Sequence, residues 1–435
     1  QPADGIDEVL LVTAFGDPNE RTTVSLTWQP GGDQRRGQSP TVGWNALPPS
    51  RSQRDCQRTA RVTPKSTPNV PVRLASLHGS FDAVSPADFE DRALNFPGSH
   101  RHDRECPEVR CRAHWTGSRC RIWIPDDEPC DDRLIRWLGR LGDLVEEESL
   151  PIVEADQGTW PDVDADGIIN LVVTDRVGCT APGVHAFVWQ ADFQENVTRP
   201  WDQNWDVIYV QPGIDFEALR PILIHELTHL AQFSWCRHLF PTGPWPIPDW
   251  LTEGLAHAAE LRYDEAAENT LPRLRAFAAH PGSCPLVVND AAASGLWRDP
   301  GQRGASAAFC DWWLRRQPDW CWPDFLQTYA TEDDPWTMIA GAPFTEIYRD
   351  WTISLAANGL QPLAEKIPVE LHFQELSEGT AGSVVLIGTA TAYVRVRRNS
   401  TEPQSVQITG PKSCRLQVTT LRIPSRSSVQ LPATR

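Results

Sequence analysis

The stretch PILIHELTHLAQF, residues 221–233, decides the fold and the chemistry that this sequence predicts. His225 and His229 stand four residues apart, so on a helix both imidazoles lie on one face, one turn apart, where they can share a metal ion. Glu226 lies beside them and can reach an open coordination position, where a metal-bound water needs a base. The apolar neighbours of these residues predict a buried helix, in which polar side chains without a ligand would be costly.

A second helical stretch, WLTEGLAHAAE at residues 250–260, supplies a third candidate ligand. Glu253 can complete a site of two histidines and one glutamate, with water in the fourth position. Zinc is the metal that this donor set favours. The alternative is a surface helix that carries the motif by accident, which the apolar flanks of HELTH disfavour.

HELTH followed by WLTEGLA resembles the gluzincin metallopeptidases, and within that clan most closely the hyicolysin-like secreted neutral peptidases. The resemblance covers residues 130–356, where DVDADG precedes a strand, WDVIYVQP precedes HELTH, and FTEIYRDW follows. It implies a zincin-type metallopeptidase domain with a mixed sheet and active-site helices. It also implies a zinc ion on His225, His229 and Glu253, with Glu226 as general base and proton shuttle, and a protein or peptide as substrate.

Two departures from the gluzincin pattern bear on the subtype. The zinc aminopeptidases of the clan carry a Gly-x-Met-Glu-Asn segment for the substrate amino terminus, whereas the single methionine here, Met338, lies in WTMIAG. An endopeptidase is therefore favoured over an exopeptidase. If the segments correspond, Arg303 in GQRGASAAF stands where related enzymes have a Tyr that stabilises the oxyanion, and a guanidinium could serve. Tyr209, Tyr263 and Tyr348 are the other candidates, and an ordinary surface arginine is the simpler interpretation.

Two further segments near the motif have two interpretations each. His257 stands four residues after Glu253 and so shares its helix face, which suits either a hydrogen bond to a ligand or substrate, or a satisfied core histidine. The run VHAFVWQ at residues 184–190 suits either an edge strand that pairs with an extended peptide or ordinary sheet packing.

The segment DVDADG also predicts a second cation site. Asp162, Asp164 and Asp166 match the first half of a calcium loop, although the twelfth position, where an acid is usual, falls at Val173. The alternative is an acidic turn without an ion. A second metal site can be drawn in the loop-like segment around residue 100 from four side chains, His100, His102, Cys106 and Cys111.

Composition limits the classes of function and the compartment. The chain has 435 residues, and its formal net charge of −17 argues against a nucleic-acid partner, because such binding depends on Lys and Arg. No stretch of 18 apolar residues exists, so no transmembrane segment is predicted. Eleven cysteines and a start at Gln1 favour a secreted or periplasmic protein with disulfides, although free buried thiols in the cytosol are the alternative. A monomer is assumed.

The pattern along the chain predicts an α+β fold in three domains. Short β-branched runs at residues 8–14 and 22–28 flank a Gly-Asp-Pro-Asn turn and predict a hairpin. A helical period begins at Asp131, and alternating strands take over from Pro368. We therefore predict a β-rich accessory domain at 1–130 with a long polar loop, the metallopeptidase domain at 131–360, and a C-terminal β-sandwich-like domain at 361–435.

The predicted function is that of a secreted zinc endopeptidase, in which Glu226 deprotonates a zinc-activated water. Three alternatives remain open. They are a catalytically silent binding protein braced by zinc, an exopeptidase of the same clan, and a hydrolase that acts on something other than a protein.

Overall fold

The structure is a computed structural model, and it describes residues 6–29, 91–95, 108–180, 183–193, 205–241, 245, 247–264, 268–291, 294–296, 299–317, 320–360, 369–397, 405–412 and 414–424. All of these belong to one compact unit formed by residues 1–32 and 89–435. A second unit, 33–88, lies outside the described residues. The fold is α+β, as predicted.

Within the described residues, the strands are β1 (Ile6–Phe15), β2 (Arg21–Gln29), β3 (Asp91–Asn95), β4 (Glu108–Thr116), β5 (Cys120–Pro125), β6 (Ile169–Val173), β7 (Ala186–Phe187), β8 (Val207–Val210), β9 (Gln374–Ser377), β10 (Ala381–Ile387), β11 (Ala390–Arg397), β12 (Ser405–Thr409) and β13 (Arg415–Pro424). The helices are α1 (Asp132–Asp143), α2 (Leu150–Gln157), α3 (Arg176–Thr180), α4 (Phe216–Leu239), α5 (Asp249–Tyr263), α6 (Leu271–Ala279), α7 (Pro300–Leu314), α8 (Trp322–Thr331), α9 (Pro335–Ala340) and α10 (Phe344–Asn358). A π-helical stretch, Leu144–Ser149, joins α1 to α2.

The two ends of the chain form a β-sandwich together. One sheet has the order β13-β1-β11-β9 and the other has the order β10-β2-β12. The hairpin prediction for β1 and β2 is wrong, because the turn between them passes from one sheet to the other. Each of the two strands pairs instead with strands more than 350 residues away.

Strand β1 is buried on both faces, which explains its unbroken apolar run. Leu10 and Val12 face the interior of the sandwich, whereas Val9 and Leu11 pack into the core of the helical part of the protein. A strand at this position needs apolar residues at successive positions rather than in alternation. The β-sandwich is therefore joined to the helices by a shared hydrophobic core.

The remaining strands form a six-stranded mixed sheet with the order β3-β4-β5-β6-β8-β7. Strands β5, β6 and β8 are parallel, and β7 runs antiparallel to β8 at the edge. Helix α4 lies against this sheet through Leu223, Ile224, Leu227 and Leu230, which are fully buried. This contact fixes the helix that carries the HELTH sequence.

The sheets cross the predicted domain boundaries at 130 and 360. Strands β3 to β5 continue the sheet of the predicted catalytic segment, and β1 and β2 belong with the C-terminal strands. The difference arises because a strand pattern identifies which face is apolar but not which distant strand it pairs with. In the described stretches, no helix has an apolar run long enough to cross a bilayer.

Candidate metal centre

Helix α4 begins after Asp215, whose side chain accepts a hydrogen bond from the backbone N–H of Glu217 at 3.0 Å. This cap satisfies one of the free N–H groups at the helix start. The helical spacing places His225 and His229 on one face, and both are buried. The predicted arrangement of the two imidazoles is therefore present in the structure.

The three predicted ligands converge on one point. His225 Nε2 lies 3.0 Å from His229 Nε2 and 3.6 Å from Glu253 Oε2, and His229 Nε2 lies 3.9 Å from Glu253 Oε2. Tetrahedral ligands at zinc distances lie about 3.3 Å apart, close to these separations. Glu253 Oε2 is buried and has no hydrogen-bond partner among the described residues. An unpaired carboxylate oxygen between two imidazole nitrogens fits a cation.

Both histidines hold their other ring nitrogen in a hydrogen bond. His225 Nδ1 lies 2.6 Å from Glu260 Oε1, and His229 Nδ1 lies 3.2 Å from Gln232 Oε1. Because these oxygens can only accept, the protons lie on Nδ1 and each Nε2 presents a lone pair. Two lone pairs at 3.0 Å repel each other unless a cation lies between them. The hydrogen bonding thus prepares both imidazoles as metal ligands.

The pKa values of the site agree with this preparation. Burial lowers the pKa of His229 to about 4, with a further contribution from His225, and burial also lowers the pKa of His225. Both imidazoles are therefore neutral at pH 7, as ligation requires. Burial tends to raise the pKa of Glu253, but the charge of Arg303 and the nearby imidazoles outweigh it, so the net pKa is lowered and the carboxylate is ionised.

Arg303, predicted to stabilise the oxyanion, lies beside the site on α7. Its Nη2 donates a hydrogen bond to Glu253 Oε1 at 2.9 Å. The contact fixes the carboxylate of Glu253 and turns Oε2 towards the histidines. Arg303 is thus placed to position a ligand, and its role toward an oxyanion stays a prediction.

Glu226 lies next to the converging donors and contacts the edge of the sheet. Its Oε2 accepts a hydrogen bond from the backbone N–H of Val188 at 2.9 Å, directly after β7. Burial, with the charge of Glu253, raises its pKa to about 8. Within VHAFVWQ, Ala186 and Phe187 form a strand at the edge of the six-stranded sheet as described, and whether a peptide pairs with this edge stays open.

His257 is fully buried, so it does not face a substrate. Its Nδ1 lies 2.8 Å from Glu260 Oε1 and 3.0 Å from Thr270 Oγ1, whereas its Nε2 is buried without a partner among the described residues. His225, Glu253 and His257 each offer a ligand atom, and these three atoms lie within 4.8 Å of one another. A second donor set therefore overlaps the predicted one.

Two of the three tyrosine alternatives make hydrogen bonds away from the predicted zinc ligands, and the third packs against the hydrophobic core of the six-stranded sheet. The Tyr209 hydroxyl donates to Asp192 at 3.1 Å, and the Tyr348 hydroxyl donates to the carbonyl of Thr389 at the β-sandwich. Tyr263 ends α5 and packs against the core of the six-stranded sheet. The structure brings neither Tyr209 nor Tyr348 into contact with the predicted zinc ligands.

The acidic loop contains a second group of carboxylates. Asp162, Asp164 and Asp206 offer ligand oxygens within 4.8 Å of one another, and Asp166 instead accepts from the N–H of Ile168 at 2.8 Å. Asp206 is buried, and burial together with the neighbouring aspartates raises its pKa well above the usual range. The predicted calcium site stays a prediction, with Asp206 as an additional candidate ligand.

The structure bears on the two predictions that involve cysteines, the disulfides and the second metal site. The cysteines Cys111, Cys120, Cys130, Cys236, Cys284, Cys310, Cys321 and Cys414 are free thiols in the described part of the chain. Cys111 is buried in β4, whereas the other members of the predicted second metal site, His100, His102 and Cys106, lie outside the described residues. The disulfide prediction gains no support from the eight described cysteines.

Two residues that the sequence reasoning missed are Glu260 and Asp206. Glu260 stands seven residues after Glu253, which places it on the same helix face two turns later, and this spacing could have identified it. Asp206 directly precedes β8, and the loop that contains Asp162 precedes β6. Because β6 and β8 are parallel neighbours, both strands begin at the same edge of the sheet.

A scan against protein-family models found no match for this chain, and a search of curated proteins found none either. The resemblance to gluzincins therefore rests on the quoted residues alone.

Proposed function

We propose that this chain is a zinc-dependent endopeptidase that hydrolyses proteins or peptides. The observation that carries the proposal is the convergence of His225 Nε2, His229 Nε2 and Glu253 Oε2, with the carboxylate of Glu226 beside them. Two imidazoles, a carboxylate and an adjacent second carboxylate form the donor set of a catalytic rather than a closed structural zinc site. Zinc bound there would supply Lewis acidity, which activates a water molecule and polarises a carbonyl.

Glu226 is the residue that moves protons in the proposed reaction. Its pKa is about 8 in the metal-free protein, and a cation at the converging donors would lower it. The ionised carboxylate could then take a proton from water and pass it to the leaving amine. The N–H of Val188 holds Oε2 at 2.9 Å, which restricts the carboxylate to one orientation. Only the other oxygen is then available for the proton transfer.

The edge of the six-stranded sheet is the proposed site of substrate binding. Strand β7 forms this edge, and Val188, directly after the strand, contacts the proposed general base. An extended peptide that pairs with this edge would pass beside Glu226. Secretion or export to the periplasm and a monomeric state remain predictions that accompany this proposal.

The test compares Glu226→Ala with Glu217→Ala, since Glu217 lies in the first turn of the same helix and its side chain is 82% exposed. The full chain loaded with Zn²⁺ is incubated with a peptide library, and cut sites are read by mass spectrometry with and without chelator. We expect internal cuts that chelator abolishes, a loss of about 10²–10⁴-fold in rate for Glu226→Ala, and wild-type rates for Glu217→Ala. Equal rates for Glu226→Ala and the wild type would refute the proposal, and terminal trimming would favour an exopeptidase.

A further inference from the structure

The buried Nε2 of His257 has no assigned role in the proposed function. The side chain is 0% exposed, and within the described residues this nitrogen has no hydrogen-bond partner. A buried polar atom without a partner costs about 1–3 kcal/mol. Such an atom next to a group of metal donors indicates a ligand that would satisfy it.

His257 has the same hydrogen bonding as the predicted ligand His225. Both Nδ1 atoms bond to the same oxygen of Glu260, at 2.6 Å from His225 and 2.8 Å from His257. Because an ionised carboxylate can only accept, both imidazoles carry their proton on Nδ1 and both present a lone pair on Nε2. A carboxylate on Nδ1 is the usual outer partner of a metal-binding histidine.

The two rings also lie close to one another and to Glu253. Their centroids are 4.6 Å apart with planes tilted by 57°. His225, Glu253 and His257 each have a ligand atom within 4.8 Å of the others. His229 Nε2 lies 3.0 Å from His225 Nε2.

We propose that His257 is a third imidazole ligand of the metal ion in the resting protein, together with His225, His229 and Glu253. The inference rests on the metal site of the proposed function. Four protein donors fill a tetrahedral shell, so a substrate carbonyl or water gains access only when His257 withdraws or the shell expands to five ligands. The resting site is then closed, and the open arrangement of three ligands on which the proposed function rests forms when His257 withdraws.

The experiment counts imidazoles around the metal. The full chain is loaded with one equivalent of Zn²⁺ for X-ray absorption, and with Co²⁺ for visible absorption. We expect three imidazoles per metal in the wild type, and two in both His257→Phe and His257→Gln. The Kd for Zn²⁺, measured against a chromogenic chelator, should rise at least tenfold in both variants.

Thr270→Val is the matched control, because Thr270 contacts both His257 Nδ1 and Glu260 without offering a nitrogen to the metal. This variant should keep three imidazoles. Two imidazoles in the wild type, or identical spectra for the wild type and both His257 variants, would overturn the inference. If the wild type binds Zn²⁺ through two imidazoles and still cleaves peptides in a Glu226-dependent way, only the inference about His257 fails. If it binds no Zn²⁺, the proposed function fails with it.

Discussion

Glu260→Gln tests whether one buried carboxylate prepares the metal site. Glu260 is fully buried and accepts four hydrogen bonds, from His225 Nδ1 at 2.6 Å, His257 Nδ1 at 2.8 Å, Asn269 Nδ2 at 2.8 Å and Thr270 Oγ1 at 2.7 Å. Burial tends to raise its pKa, but the two imidazoles outweigh this, so the net pKa is lowered and the group is ionised. Glutamine keeps the size of the side chain and one accepting oxygen, but it removes the charge and replaces the other oxygen with an NH₂ group that donates.

The expected loss of Zn²⁺ affinity follows from the hydrogen bonds whose acceptor becomes neutral. A hydrogen bond to an ionised group contributes about 1.5–3 kcal/mol, compared with about 1 kcal/mol for a neutral pair. His225 therefore loses about 1 kcal/mol of orienting energy, and its Nε2 becomes a weaker donor to a metal. Loss of such an outer carboxylate usually weakens metal affinity by about 10–100-fold, which is about 1.4–2.7 kcal/mol.

The assay is competition for Zn²⁺ between the protein and a chromogenic chelator at pH 7.5. Urea unfolding of the metal-free proteins shows whether each variant keeps a cooperative transition. Asn269→Ala is the control, because Asn269 donates to the same oxygen of Glu260 and its side chain approaches neither histidine in the described contacts. A cooperative Glu260→Gln protein whose Kd for Zn²⁺ lies within threefold of the wild type would refute the reasoning.

Three other predictions test the helix packing, the general base and the acidic loop. Gly254→Ala places a Cβ 2.8 Å from the Ser306 carbonyl oxygen, so urea unfolding should show a loss of about 1–3 kcal/mol. Gly139→Ala meets nothing within 4 Å and should gain up to about 1 kcal/mol, and equal effects would contradict the contact between α5 and α7. In the metal-free protein, Glu226 has a folded pKa of about 8 above its ordinary 4.5, so its contribution to folding stability is fully present below pH 4.5 and is lost as pH rises through 8. Glu226→Gln lacks this loss and should exceed the wild type by on the order of 2–4 kcal/mol at pH 8.5, whereas a difference independent of pH would count against the shift. Ca²⁺ should raise the Tm of the wild type by a few degrees and leave Asp206→Asn unchanged, and an equal rise in both would exclude Asp206 as a ligand.

The parts of the site that could be predicted from the sequence are those set by helical spacing. His225 and His229 lie four residues apart on one helix, and Glu253 lies on the next, so two short motifs are enough to bring three donors together. The position of Glu226, the proposed general base, follows from the same spacing. The geometry of α4 and α5 confirms this local reasoning, since both helices contain their motifs in full.

The parts that could not be predicted depend on contacts between distant segments. The contact of Arg303 with Glu253 joins α7 to α5 across 50 residues, and a motif comparison placed that arginine on the substrate instead. The pairing of β1 with β13 depends on which apolar surface each end of the chain must cover, and the alternation of residues is the same for any partner. Sequence periodicity contains no information about either choice.

The charges in the centre give an independent reason for a divalent cation. Glu253 and Glu260 are ionised, and burial keeps the imidazoles neutral. Arg303 bonds to Glu253 Oε1, which leaves Glu253 Oε2 without a hydrogen-bond partner among the described residues. Burial raises the pKa of Glu226, and the charge of Glu253 beside it raises this pKa further. A divalent cation at the convergent oxygen and nitrogens would add positive charge beside Glu226, lower its pKa and allow it to ionise. The same residue would therefore be protonated in the metal-free protein and able to act as a base when a metal is bound, which links the proposed catalysis to occupancy of the site.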